Sequence, residues 1–148
     1  MKKRSIILIS ALGTISFIHA AEPTKIEITC NDQMAFSTKA FEVTANQPVA
    51  LTVKNIGKLP VEAMGHNIVI LKPGSVISDF AMKAMTVKDK GYIPSDPEIA
   101  KNITAHSKLL GPGESETITF TPTEAGAYPF LCSFPGHFGI MQGVMTVK

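Results

Sequence analysis

The chain has 148 residues, of which 45% are hydrophobic and 18% are charged. This length and composition predict one globular domain whose core is large enough to be stable without disulfides. The 14 Lys and Arg nearly balance the 12 Asp and Glu, which excludes the basic surface that nucleic-acid binding requires.

The first 20 residues are predicted to be a cleaved signal peptide. Residues 2–4 are basic, residues 5–18 form an apolar run too short for a stable membrane span, and residues 18–20 fit a cleavage site. No cysteine follows the apolar run, and no later run reaches transmembrane length. We therefore expect cleavage after Ala20 and a soluble, monomeric periplasmic domain over residues 21–148, without a membrane anchor.

Short strands separated by turn residues are predicted for most of this domain. Residues 26–30 alternate, so that Cys30 shares a core face with Ile26 and Ile28 and acts as a small buried hydrophobe. The other predicted strands cover residues 36–43, 49–53, 67–71, 117–120, 128–132 and 140–147. The pattern is typical of an all-β, antiparallel Greek-key sandwich.

One segment has helical rather than strand periodicity. Its apolar residues recur at i, i+3, i+4, i+7 and i+8, namely Ile77, Phe80, Ala81, Ala84 and Met85. Ser75 precedes this run at a position where its side chain could cap a helix. We therefore predict one short helix packed on the outside of the sandwich.

A metal-binding motif lies near the C-terminus. Cys132, His137 and Met141 place a thiolate, an imidazole and a thioether on one loop, and a second imidazole, His66, lies far upstream. A trigonal copper electron-transfer site uses two His, one Cys and a weak axial Met. Because side chains alternate along the last two strands, Cys132 and Met141 should both point into the apolar end of the sandwich. The sequence therefore predicts a copper site that is shaped before metal binds.

These motifs, with residues 31–34 and 105–109, resemble those of the azurins, bacterial blue-copper proteins of the cupredoxin family. The resemblance covers essentially the whole chain after the signal peptide. It implies one Cu(I)/Cu(II) ion held by these groups: His66, Cys132 and His137 in the trigonal plane, Met141 as a long axial ligand, and the Gly65 backbone carbonyl on the opposite side. It also implies that the amides of Asn67 and Phe134 face the Cys132 sulfur.

The resemblance further implies a non-enzymatic role in electron transfer between periplasmic redox proteins. The expected partners are c-type cytochromes, copper nitrite reductase or another periplasmic redox protein. They should dock on an apolar surface around His137, here called the apolar patch, which consists of Met34, Leu59, Ala63, Met64, Phe134 and Ile140.

The chain departs from the azurin pattern at several positions. Pro23 and Asn46 stand where azurins usually have two disulfide-bonded cysteines, Ile68 replaces a buried Trp, and Asn55 replaces a His that often lies near copper. None of these changes removes a predicted ligand.

Other chemistries could use similar residues. Zinc would be a misloaded metal here, because structural zinc prefers four strong ligands and Met is a poor fourth. A Cys-His hydrolase would need a partner to orient its His, and the sequence places none. A disulfide between Cys30 and Cys132 would consume the thiolate. One alternative function stays open, a periplasmic copper carrier or chaperone that hands metal rather than electrons to a partner.

Overall fold

The computed structural model describes residues 21–148, so the predicted signal peptide, residues 1–20, lies outside the described residues. The strands are β1 (Thr24–Asn31), β2 (Ala35–Phe36), β3 (Ala40–Val43), β4 (Val49–Asn55), β5 (Val69–Leu71), β6 (Ile103–His106), β7 (Ser115–Phe120), β8 (Gly126–Leu131) and β9 (Gln142–Val147). The helices are α1 (Val61–Met64), α2 (Ile77–Ala84) and α3 (Pro97–Ala100), with one 3₁₀ turn at Lys88–Lys90.

The strands form two sheets, which confirms the predicted sandwich. One sheet has the order β2-β1-β4-β7, and the other has the order β3-β9-β8-β5-β6. The predicted antiparallel arrangement is wrong for two strand pairs, because β1 runs parallel to β4 and β3 runs parallel to β9. Alternation in a sequence shows which face of a strand is buried, but it does not specify the direction of the neighbouring strand.

The strand predictions differ from the structure in two further places. The predicted strand over residues 36–43 is divided into β2 and β3, which belong to different sheets. Strand β6 was not predicted, and its side chains are only partly buried or exposed, so they give no clear alternation. It forms the edge of the second sheet by pairing with β5.

Helix α2 occupies the segment with helical periodicity and buries Phe80, Ala81 and Ala84, as expected. The expectation of a single helix is wrong, because α1 and α3 each add one short turn of helix. The predicted cap is also wrong, since Val76 precedes α2 and no side chain caps its first turn. Ser75 lies in the preceding turn, where its backbone amide bonds to the Lys72 carbonyl.

The core lies between the sheets, where the inward faces of the strands meet. Ile28 and Cys30 of β1, Leu51 of β4, and Phe130 of β8 are all at most 1% exposed. Cys30 therefore packs as the small hydrophobe that alternation predicted. None of the helices between residues 21 and 148 is long and apolar enough to cross a bilayer.

Candidate metal centre

A tight loop joins β8 to β9 and brings Cys132 and His137 together. The His137 amide donates to the Phe134 carbonyl at 3.1 Å, and the intervening Gly136 has φ +81°. These features describe a type II turn, in which Pro suits the second position and Gly the third. The Cys132 amide bonds to the Met141 carbonyl at 3.0 Å, which closes the base of the loop.

His66 reaches the same end of the sandwich from a different part of the chain. It follows Gly65, the residue after α1, and precedes β5. Two backbone bonds hold it against Leu110: the His66 amide donates to the Leu110 carbonyl at 3.1 Å, and the Leu110 amide donates to the His66 carbonyl at 2.7 Å. The backbone that carries the imidazole is thus held in place by this bridge.

His66, Cys132 and His137 form a compact buried cluster. Their ligand atoms all lie within 4.8 Å of one another. The Cys132 Sγ lies 4.0 Å from His66 Nδ1 and 3.6 Å from His137 Nδ1, so each ring turns the same nitrogen toward the sulfur. His137 is the most exposed of the three at 3%, while the other two are fully buried.

Burial shapes the protonation of the metal-free cluster. It raises the pKa of the Cys132 thiol to about 11, although the backbone amides of Asn67 and Phe134 act in the opposite direction. This agrees with the expectation that these two amides face the sulfur. Burial also lowers the pKa of His66 and lowers that of His137 to about 4, the latter with a contribution from the neighbouring His66. At neutral pH both rings are therefore neutral, with a lone pair free to bind a cation.

The donor set fits copper. Metal bonds of about 2.0 Å to nitrogen and 2.3 Å to sulfur, as zinc shows, would separate N and S by about 3.7 Å around a trigonal ion. The observed N to S distances of 3.6 and 4.0 Å bracket that value. A thiolate with two imidazoles suits copper, and binding must release the thiol proton. His66 Nε2 is one of the buried side-chain atoms in the described residues that have no hydrogen-bond partner. The nearby Asn31 carbonyl favours the protonated ring and so partly offsets the lowering of the His66 pKa by burial.

The remaining predicted site residues lie at the same end. Met141 is fully buried at the base of the ligand loop, and its amide bonds to the His137 carbonyl at 2.8 Å. Gly65 is buried directly before His66, in a space where a Cβ would lie 2.6 Å from the Val61 carbonyl oxygen. The axial roles of the Met141 thioether and the Gly65 carbonyl stay predictions.

A polar network that sequence reasoning missed connects the two ligand segments. Asn67 Oδ1 accepts from the Ser133 amide at 2.8 Å, and Asn67 Nδ2 donates to the Ser133 hydroxyl oxygen at 2.8 Å. The Ser133 hydroxyl in turn donates to the Tyr92 carbonyl at 2.8 Å. Asn67 follows His66 and Ser133 follows Cys132, so this network ties together the residues beside two ligands. Only their adjacency to the ligands could have suggested it.

Most residues of the apolar patch are exposed or half-buried. Leu59 and Ile140 are 45% and 49% exposed, Met34 and Met64 are half-buried, and Phe134 is buried against His137. By contrast, a cavity of about 380 Å³ between α2 and α3 includes none of the cluster residues. The three donors are therefore almost closed off from solvent, and the exposed patch residue Ile140 lies on the ligand loop.

Comparisons with known proteins agree with this geometry. Residues 23–148 match the copper binding proteins of the plastocyanin/azurin family. The chain is similar to azurin from Pseudomonas fluorescens biotype C, with 36% identity over 84% of this chain and 98% of that protein. It is also similar to azurin from Pseudomonas aeruginosa, with 32% identity over 98% of this chain and 99% of that protein.

A solved structure extends the comparison beyond azurins. Auracyanin from the photosynthetic bacterium Roseiflexus castenholzii superposes with a TM-score of 0.76 and 39% identity, over 86% of this chain and 98% of that one. The family is one of copper electron carriers rather than enzymes. Because the family match spans nearly all described residues and the sandwich brings its His, Cys and His donors together, the chain belongs to the plastocyanin/azurin family of copper-binding proteins.

Proposed function

We propose that this protein is an azurin-type periplasmic shuttle that carries single electrons between redox proteins. The observation that carries the proposal is the buried cluster of His66, Cys132 and His137, whose ligand atoms lie within 4.8 Å of one another. A copper ion bound there would supply a one-electron Cu(I)/Cu(II) couple. The Met141 thioether and the Gly65 carbonyl would be additional, weaker ligands of that ion.

The chain's own contribution is to hold the donors still. His66 is fixed by its backbone bridge to Leu110, and Cys132 is fixed by the closed loop and by the Asn67–Ser133 network. A site that is preformed and supported in this way needs little rearrangement when its charge changes by one unit, which favours fast electron transfer.

The alternative, a copper carrier, is disfavoured by burial. A carrier must expose ligands so that a partner can take the metal, whereas the three donors here are at most 3% exposed. We expect the apolar patch to lie around His137, the most exposed of the three, where it would suit brief docking of a partner with a small interface. The proposed partners are a c-type cytochrome, copper nitrite reductase or another periplasmic redox protein.

The copper assignment is tested by colour. Copper-loaded protein should be intensely blue through charge transfer from the Cys132 thiolate, and Cys132→Ser should abolish the band. Circular dichroism of the variant should still show a folded sandwich. A colourless wild-type protein that holds one copper per chain would contradict the blue-copper assignment.

The electron-transfer and copper-carrier functions can be distinguished by mixing the protein with two different partners. Stopped-flow mixing with a reduced c-type cytochrome measures electron transfer, and mixing with a metal-free copper carrier measures copper transfer. We expect the first to finish before appreciable copper is lost. Met64→Glu should slow electron transfer by about tenfold, because it buries a charge in the docking surface. Met82→Glu is the control, since Met82 is 57% exposed on α2, outside the apolar patch. Fast copper transfer with slow electron transfer would instead support the carrier.

A further inference from the structure

We propose that Tyr92 is a positioning residue of the metal centre, which keeps the His137 ring in place through Phe134. The proposal rests on the proposed function, because it assigns Tyr92 a role in holding a ligand of the copper site. Tyr92 is distant in sequence from every predicted ligand and belongs to none of the motifs.

A series of aromatic contacts leads from Tyr92 through Phe134 to His137 of the metal centre. The Tyr92 and Phe134 centroids are 5.2 Å apart with an edge-to-face angle of 70°. The Phe134 centroid lies 4.6 Å from that of His137, with the rings tilted by 37°. The His137 centroid is also 5.0 Å from that of His66. Both contacts involving Phe134 fall within the range of favourable aromatic pairs, so the His137 ring packs against Phe134 as well as His66, and Tyr92 packs against Phe134.

The backbone of Tyr92 is held in an unfavourable conformation by the ligand segments. Gly91 and Tyr92 both adopt left-handed angles, with φ +62° and +63°. For a tyrosine this conformation is costly and persists only where the surroundings impose it. The Gly91 carbonyl accepts from Asn67 Nδ2 at 3.3 Å, and the Tyr92 carbonyl accepts from the Ser133 hydroxyl at 2.8 Å. The residues that follow His66 and Cys132 thus clamp the turn that presents the Tyr92 ring.

The ring of Tyr92, rather than its hydroxyl, makes the contacts that matter. The side chain is 6% exposed, and its hydroxyl makes no hydrogen bond to another group among the described residues. A cavity of about 110 Å³ adjoins Tyr92 and Phe134 and is bounded by Val61, Glu62, Lys88 and Leu109. Removing the ring would enlarge this cavity toward Phe134 and give both Phe134 and His137 room to move, since side chains in a void lose the contacts that fix them.

The test compares Tyr92→Asn with Tyr92→Phe. Asn removes the ring and tolerates left-handed angles better than other non-glycine residues, so the turn should survive. Phe keeps the ring and loses only the hydroxyl, which makes it the matched control. NMR of the metal-free protein reports the mobility of the His137 ring, and electron self-exchange and electron paramagnetic resonance report on the copper-loaded protein.

In Tyr92→Asn we expect exchange-broadened His137 ring signals, a wider spread of copper hyperfine couplings, and self-exchange slowed by about tenfold. The variant should still bind one copper. Tyr92→Phe should match the wild type in all three measurements. If Tyr92 contributes only to core stability, Tyr92→Asn should lower the unfolding midpoint without changing any of these three measurements.

The proposal would be overturned if Tyr92→Asn had the His137 ring signals and the self-exchange rate of the wild type. It would also be overturned if Tyr92→Phe changed these measurements as much as Tyr92→Asn does, because the effect would then belong to the hydroxyl. If Tyr92→Asn does not fold, Tyr92→Leu, which keeps an apolar side chain without the aromatic edge, is measured in its place with the same criteria. A wild-type protein that is not blue would refute the proposed function alone, because the NMR comparison needs no copper.

Discussion

Asn55 is a buried amide that shares a backbone acceptor with a predicted ligand. Its Nδ2 donates at 3.1 Å to the Leu110 carbonyl, the same oxygen that accepts from the His66 amide. Its Oδ1 accepts from the Gly57 amide at 2.8 Å. The amide is therefore satisfied and close to the metal centre, but it has no proton to exchange near neutral pH. A His at this position would exchange a proton in that range.

The reduction potential of the wild-type protein should consequently change little between pH 5 and 8. In Asn55→His, protonation at low pH would add positive charge near the site and favour the reduced form, so the potential should fall as the pH rises through the His pKa. The slope should stay below the ~59 mV per pH unit of full one-proton coupling. Protein-film voltammetry across this range measures it.

Asn55→Gln is the matched control for this substitution, because it changes the size of the side chain without adding a titrating group. It should leave the potential flat. A steep slope in the wild type would show that another group takes up a proton with the electron, and the ligand His137 would be the first to test by NMR.

Strand β9 depends on a glycine at the place where it meets two neighbours. A Cβ built on Gly143 would lie 2.3 Å from the Lys39 carbonyl oxygen and 2.4 Å from Phe130 Cζ. Lys39 leads into β3, and its carbonyl accepts from the Val144 amide at 2.9 Å. Phe130 is fully buried between Phe36 and Phe41. Only glycine at position 143 lets β9 lie this close both to the backbone that leads into β3 and to the Phe130 ring.

Gly143→Ala should therefore destabilise the sandwich by roughly 1–3 kcal/mol, the usual cost of overpacking a core. Equilibrium denaturation in urea, followed by circular dichroism, measures the change. Gly139→Ala is the control, since a Cβ there meets nothing within 4 Å and should shift the midpoint far less. Equal midpoints for Gly143→Ala and the wild type would mean that β3 moves away without cost.

Within residues 21–148, the metal-free protein buries four groups whose pKa is shifted. The pKa of His66 is lowered and that of His137 is lowered to about 4, mainly by burial. Burial raises the pKa of Cys132 to about 11 and that of Cys30 to about 12. Each shift favours the uncharged form, so the folded metal-free protein should be most stable where all four groups are also uncharged in the unfolded chain.

Below pH 6.5 the unfolded chain binds protons at these histidines while the folded protein does not, so stability should fall as the pH decreases toward 5. Extended to pH 4, the His137 shift alone corresponds to up to about 3 kcal/mol. Above pH 9 the unfolded cysteines ionise first, so stability should fall again. Urea denaturation of metal-free protein at pH 5, 7 and 9.5 measures both effects.

His137→Asn should weaken the acid-side loss, whereas His106→Asn should leave it unchanged because His106 lies exposed at the end of β6. Copper should remove the acid-side loss over the same range by holding the imidazoles unprotonated. Equal stability of metal-free protein at pH 5 and 7 would contradict the burial of neutral rings.

Local patterns in the sequence were sufficient for most of the strands, for α2 and for the ligand types. Alternation placed Cys30, Cys132 and Met141 on inward faces, and all three are buried. Helical periodicity identified α2, and the short spacing of Cys132, His137 and Met141 placed three predicted ligands on one loop. These features are encoded within a few residues, because a strand repeats every two residues, a helix every 3.6, and a type II turn requires Gly at one position.

Only the tertiary structure decided which distant segments meet. The parallel pairings of β1 with β4 and β3 with β9, and the edge position of β6, depend on backbone hydrogen bonds that leave no periodic signal. The bond between Asn67 and Ser133 joins residues 66 positions apart, and Tyr92 contacts Phe134 only because the turn containing Gly91 is clamped beside the ligand loop. Such contacts follow from the packing of two sheets against each other, and side-chain type at single positions does not specify that packing.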